Sequence, residues 1–174
     1  MRSMIRHNQW IGVVAIGLAA MLAGCGKSLP ATSPVEGYVT FDGKPLEDAT
    51  VIFVSGNANM SNGEVALGKT DPQGKFILTT FVGGEADVKG AMPGSYQVTI
   101  SKMVPPSGMA LDKYLAMVEA YNKKVEQGEM VSAEQAPPPM VESLPGKYSA
   151  AGTTKLTAEV KQGEANEIKF DLDK

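Results

Sequence analysis

The stretch Val35-Glu36-Gly37-Tyr38-Val39-Thr40-Phe41-Asp42-Gly43 decides the fold. Val35, Gly37, Val39 and Phe41 fall on one side of an extended chain, and Glu36, Tyr38 and Thr40 on the other. A period of two over seven residues is the signature of a half-buried strand. Asp42-Gly43 then supplies a turn, because glycine tolerates positive φ and a short aspartate side chain bonds back to its own backbone.

The same pattern recurs outward from there. Ala49, Val51 and Phe53 alternate with Thr50, Ile52 and Val54. A loop rich in Gly, Asn and Ser covers 55–63, and a third strand is expected over 64–70. Asp71-Pro72-Gln73-Gly74 reads as a tight turn into a fourth strand, Lys75 to Thr79. A glycine-rich loop then runs to Pro93-Gly94, and Tyr96, Val98 and Ile100 mark a fifth strand. Leu156, Ala158 and Val160 mark a sixth. Gln162-Gly163 turns the chain into a seventh, carrying Ile168, Phe170 and Leu172. Seven short strands separated by turn signals predict an all-β fold, a seven-stranded antiparallel sandwich.

One segment breaks the period. Leu111, Tyr114, Leu115, Val118, Tyr121 and Val125 recur at spacings of three and four, which predicts one face of a helix over 111–125. Pro105-Pro106 precedes it, Gly128 is a natural stop, and Pro137-Pro138-Pro139 reads as a stiff polyproline II spacer. Residues 103–143 are therefore expected to be a helical, proline-rich insertion between the fifth and sixth strands.

The N-terminus carries a different message. Arg2 and Arg6 precede an uncharged apolar run from Trp10 to Leu22, which ends in Leu22-Ala23-Gly24-Cys25. The run has the length of a signal-peptide core and is short of the roughly 20 apolar residues that a membrane span needs. The four residues at its end resemble the lipobox of bacterial lipoproteins, which implies cleavage before Cys25 and diacylglycerol on its sulfur. The expected organisation is a signal peptide over 1–24, a lipidated cysteine and tether over 25–33, and a domain over 34–174. The lipid would fix the chain to the cell envelope, with the outer membrane, on its periplasmic or surface face, as the expected destination.

Composition limits the chemistry. His7 and Trp10, the only residues of their kinds, lie in the leader, and Cys25 is the only cysteine. A mature domain without imidazole or free thiol cannot run Ser-His-Asp or Cys-His catalysis or build a His/Cys zinc site. No disulfide is available either, so about 150 residues must hold by packing alone. Two of the 16 basic residues and none of the 19 acidic ones fall in the leader. The domain is therefore more acidic than the full chain's net −3 and is expected to bind no nucleic acid.

The string from Val35 to Leu46 resembles the opening of carboxypeptidase-regulatory-like domains. Ala49 to Phe53, Thr70 to Phe76, Pro93 to Ile100, and Leu144-Pro145-Gly146-Lys147-Tyr148 followed by Thr153 to Thr157 are similar to further segments of those domains, and in particular of bacterial lipoproteins built from one of them. The resemblance covers most of 34–172 outside the insertion. It implies a transthyretin-like, or prealbumin-like, fold and brings no catalytic residues with it, and a fold does not by itself name a function.

Each candidate site competes with a plainer reading. Asp42, Asp71, Glu85 and Asp87 are read as turn residues rather than a calcium site, which needs six to eight converging oxygens. Glu36, Glu47, Asp48 and Glu64 could offer a glycosidase pair, but no spacing singles one out. Tyr114 and Tyr121, seven residues apart on the helical face, are candidate partner-binding residues, with packing on the sandwich as the favoured alternative. Met103, Met109, Met117, Met130 and Met140 are read as gap fillers rather than copper ligands. Lys147 and Tyr148 are expected to return the chain to the sandwich edge. No catalytic residue, metal or cofactor is expected. The functional expectation is a non-catalytic envelope module binding protein or glycan, or structural at the membrane surface. Its rivals are a polysaccharide hydrolase or hydrolase accessory, and a small-ligand carrier of transthyretin type.

Overall fold

The computed structural model describes residues 30–56, 65–82 and 86–174. Cys25, the rest of the leader, Glu64 and Glu85 lie outside the described residues. The fold is mainly β. Strand β1 is Val35–Phe41, and its period of two is realised: Val35 and Val39 are buried while Glu36 is exposed. Asp42 and Gly43 both have positive φ, 50° and 74°. They make a two-residue loop that sets Phe41 opposite Lys44 in β2, Lys44–Pro45. Two successive positive φ values match the right-handed twist of the strands being joined.

The remaining strands are β3 Thr50–Ser55, β4 Val65–Lys69, β5 Lys75–Ile77, β6 Thr79–Val82, β7 Ala86–Lys89, β8 Gly94–Ser101, β9 Met103–Val104, β10 Val141–Glu142, β11 Thr157–Val160 and β12 Asn166–Leu172. The helices are α1, Leu111–Glu126, and α2, Gly146–Ser149. Six strands form one antiparallel sheet in the order β11-β8-β3-β4-β6-β7. The other sheet has β12 beside β1, with β2 and β5 along β1's far side.

Three details depart from the sequence reading. First, β1 and β12 run parallel, from Val35 opposite Asn166 to Phe41 opposite Leu172. Alternation reveals a strand and its buried face but not its partner or direction. Parallel neighbours need a long connection, and here the whole intervening chain supplies it. Second, Lys75 to Thr79 is not one strand. Lys75–Ile77 pairs with Glu36–Tyr38, and the chain then changes sheet at Leu78, whose N–H donates to the Val35 carbonyl at 3.0 Å. Third, the glycine-rich loop contains β7, which forms a hairpin with β6.

The two sheets meet over a cluster of rings. Phe53 of the large sheet lies 6.4 Å from Phe76 and 6.2 Å from Phe170 of the small sheet, and 5.6 Å from Tyr96. Phe76 and Phe170 stack at 6.3 Å. Gly37 lies beneath this cluster: a Cβ there would stand 2.6 Å from the Phe76 ring and 2.0 Å from the Ile168 carbonyl oxygen. Ring and neighbouring strand occupy the space a side chain would need.

The buried polar side chains of Thr70, Thr80 and Asn166 are paired. The Thr70 hydroxyl accepts from the Ala49 N–H at 2.8 Å, and the Thr80 hydroxyl donates to the Gly90 carbonyl at 2.8 Å. Asn166 closes the turn before β12, accepting from the Lys161 N–H at 2.8 Å and donating to the Glu164 carbonyl at 3.0 Å.

The topology gives the domain two poles. At one, the tether is pinned: Ser33 exchanges backbone bonds with Ala91 at 2.8 and 3.0 Å, Thr32 Oγ1 donates to the Lys89 carbonyl at 2.8 Å, and the Gly163 N–H donates to Ser33 Oγ at 3.1 Å. Strands β1, β8 and β12 all begin here. At the opposite pole β1 and β12 end, and the 103–143 insertion leaves from the end of β8.

Truncating Phe53 to alanine should lower the free energy of unfolding by about 3–5 kcal/mol, read by urea denaturation, because the ring joins both sheets. Gly37→Ala should be at least as damaging although it adds one methyl group.

Candidate functional site

The insertion is built as an arm with a locked neck. Val104 stands opposite Val141 and Met103 opposite Glu142. The Glu142 carboxylate accepts from Ser101 Oγ at 2.6 Å, from the Lys102 N–H at 3.0 Å and from the Leu144 N–H at 2.8 Å. Ser143 adds its N–H and its hydroxyl to the Lys102 carbonyl, at 3.0 and 2.8 Å. One carboxylate thus ties the outgoing chain to the returning one. Sequence reading missed Glu142, because an acid beyond a proline run carries no local pattern. Asn166 was missed for the same reason.

Beyond the neck, α1 spans Leu111–Glu126, one residue longer than the periodicity predicts. Asp112 in its first turn and Lys123 and Lys124 in its last suit the helix dipole. The stop is at Gly128, with φ 74°: its N–H donates to the Val125 carbonyl, and the Glu129 N–H to that of Lys124, both at 3.0 Å. This pair of bonds is a Schellman cap, which needs a left-handed residue and therefore favours glycine. Sixteen helical residues rise about 24 Å. The chain must then retrace that length, through Pro137-Pro138-Pro139, to reach Val141 beside its starting point.

No residue of α1 is buried. Tyr114, Val118 and Tyr121 are half-buried, whereas Leu111, Leu115 and Val125 are 48%, 54% and 49% exposed. The core cluster of the sandwich contains no residue of 103–143 among the described residues. The favoured expectation, that this face packs on the sandwich, is therefore not how α1 sits. The reason is topological: the neck closes on itself, and the core is filled without α1. The methionines divide. Met103, Met117 and Met130 are exposed, Met130 completely, whereas Met109 and Met140 are half-buried.

The other candidates disperse. Asp71 Oδ1 accepts the N–H groups of Gln73 and Lys75, at 2.9 and 2.8 Å, as a turn residue does. Asp42 sits in its turn 3.2 Å from Lys174 Nζ. Asp87 lies within β7, not in a turn. Glu36 pairs with Lys75 at 2.9 Å and Asp48 with Lys69 at 2.8 Å, so each carboxylate faces its own cation. The hydrogen bond from Lys69 holds the exposed Asp48 carboxyl below its ordinary value. Among the described residues no group of three potential ligands converges on a metal position.

Lys147 and Tyr148 do come together. The Lys147 ammonium binds the Asp173 carboxylate and lies 4.9 Å from the centre of the Tyr148 ring. The Tyr148 hydroxyl donates to Asp173 Oδ1 at 2.7 Å and accepts the Asp173 N–H at 3.1 Å. Short helix α2 thereby latches the end of β12, a more specific structural role than the edge packing expected.

Compared with family models, with curated proteins and with solved structures, the chain matches none.

Two outcomes follow. Replacing 105–140 by Asn-Gly, so that a two-residue hairpin joins Val104 to Val141, should leave the sandwich folded, with Tm shifted by less than about 4 °C. Calorimetry of the deleted protein checks this. The latch should respond to acid. Hydrogen bonds from Lys147 and then Tyr148 hold the Asp173 carboxyl below its ordinary 3.8, so the latch's stabilisation is complete above that pH and is lost as pH falls through the depressed value. On acidification from neutral pH the Tyr148 ring resonances should move as Asp173 protonates, and in Asp173→Asn should show no such transition.

Proposed function

We propose that the mature protein is a lipid-anchored module of the bacterial cell envelope, of transthyretin-like fold and without catalytic activity, that uses its helical arm to contact another envelope component. The observation that carries this is the arm: a helix whose apolar stripe is half-covered, held on a rigid neck clear of the core. Apolar side chains left in water on a projecting element mark contact surfaces rather than packing. Tyr114 and Tyr121 line the stripe, and tyrosine suits such surfaces because it joins a large apolar area to a polar tip. Among the described residues Glu36 and Asp48 are paired with lysines and Asp71 with turn amides, which supports the non-catalytic reading. The space between the sheets at the ring cluster is taken by Phe53, Phe76 and Phe170, which speaks against a carrier cavity there. The anchor rests on Leu22-Ala23-Gly24-Cys25, and no helix among the described residues is long and apolar enough to cross a membrane.

The test uses the native envelope. A photo-crosslinking residue at Leu115 should capture one discrete species, and the adduct should disappear in Leu111→Asp while Tm stays unchanged. Cys25→Ser should release the protein from the membrane fraction or leave it unprocessed, and intact mass should show diacylglycerol on the wild-type cysteine. Polysaccharide, ester or peptide turnover that vanishes when one Asp or Glu becomes its amide would overturn the non-catalytic reading.

A further inference from the structure

The two poles of the domain differ in what they expose. Pro30 to Ser33 reach the sandwich beside Ala91 and Gly163. Next to that junction is an open cleft of about 370 Å³ whose wall is mostly apolar, from Pro34, Val35, Ile77 and Ala165. Ile77 is 56% exposed, the most exposed large aliphatic side chain on the sandwich itself among the described residues. The charged groups on this cleft are Lys89 and Glu36, and Glu36 is already paired with Lys75. Lys89 is thus the charge left to meet a ligand. The arm leaves from the far end of β8. Eight extended residues separate the poles by about 25 Å, and α1 adds a further length of about 24 Å in the arm.

We infer that the tether-pole cleft, with Ile77 and Lys89, is the surface on which the domain rests against the lipid bilayer that holds its own anchor, so that the helical arm is presented away from that bilayer. This rests on the proposed lipidation of Cys25. The occupant follows from chain length: the segment from Cys25 to Ser33 reaches at most about 29 Å even when fully extended. The pole it enters is therefore the part of the domain held nearest the headgroups. An apolar side chain beside a lysine fits the boundary between acyl chains and anionic headgroups.

The experiment uses the full lipidated chain in vesicles of phosphatidylethanolamine and phosphatidylglycerol carrying a nitroxide-labelled lipid. A bimane probe is attached at Gln162→Cys, in the tether-pole turn, or at Met130→Cys, on the arm. Both residues are exposed. The expected result is loss of fluorescence at 162 and none at 130, with the loss at 162 reversed by Ile77→Asp although the protein still floats with the vesicles. Quenching at 130 equal to that at 162, no quenching at either site in a floating protein, or a loss at 162 indifferent to Ile77→Asp would each overturn the inference. A protein whose intact mass shows no diacylglycerol and which does not float would remove the anchor reading and this inference with it, and the mass distinguishes that failure from the others.

Discussion

The pairing of the first strand with the last is the constraint on which the rest depends. β1 runs beside β12 over its full length, so the two ends of the domain are fixed to each other. Because the pair is parallel, it depends on everything between. The chain must fill the large sheet and come back to the pole where it started, and β3, β5, β8 and β12 each add a ring to the cluster over Gly37. Non-local pairing of this kind has a high loop-closure cost. The cost is offset by burying Phe53, Phe76 and Phe170 together, with no disulfide to assist.

Much of this was legible in the sequence, and the reason is local. Alternation fixes which face of β1, β3, β8 and β12 is buried, and Asp42-Gly43 and Gly128 fix two chain reversals through the sign of φ. What was not legible is relational. The parallel direction of β12, the change of sheet at Leu78 and the burial of Asn166 each depend on a neighbour that is remote in sequence. The candidate site divides in the same way. The helix and its stripe were plain from spacings of three and four, but whether that stripe would be covered depended on the neck. The neck depends on Glu142, whose partners Ser101 and Lys102 lie some forty residues away.

The neck also separates two kinds of stability within one chain. The sandwich owes its cohesion to a filled core, whereas α1, with no buried residue, owes its own to its Schellman cap, its dipole-matched charges and half-covered tyrosines. A helix of this length is marginal in water without tertiary contacts. The arm therefore belongs to the low end of the range of local opening energies, where elements that engage partners are commonly found.

The pinned tether has a mechanical consequence. A pull applied between the residues before Ser33 and the tip of the arm acts along the strands rather than across them. Ser33 is bonded to Ala91, three residues before β8, and β8 runs lengthwise to the neck. Its ladder to β3 extends from Thr50 opposite Ser101 to Ser55 opposite Tyr96, so the bonds of that ladder share the load in shear instead of parting one after another. A domain strung this way behaves as a stiff strut in the direction of its own attachment, and it would be far easier to peel open from the side, along the exposed edge of β7.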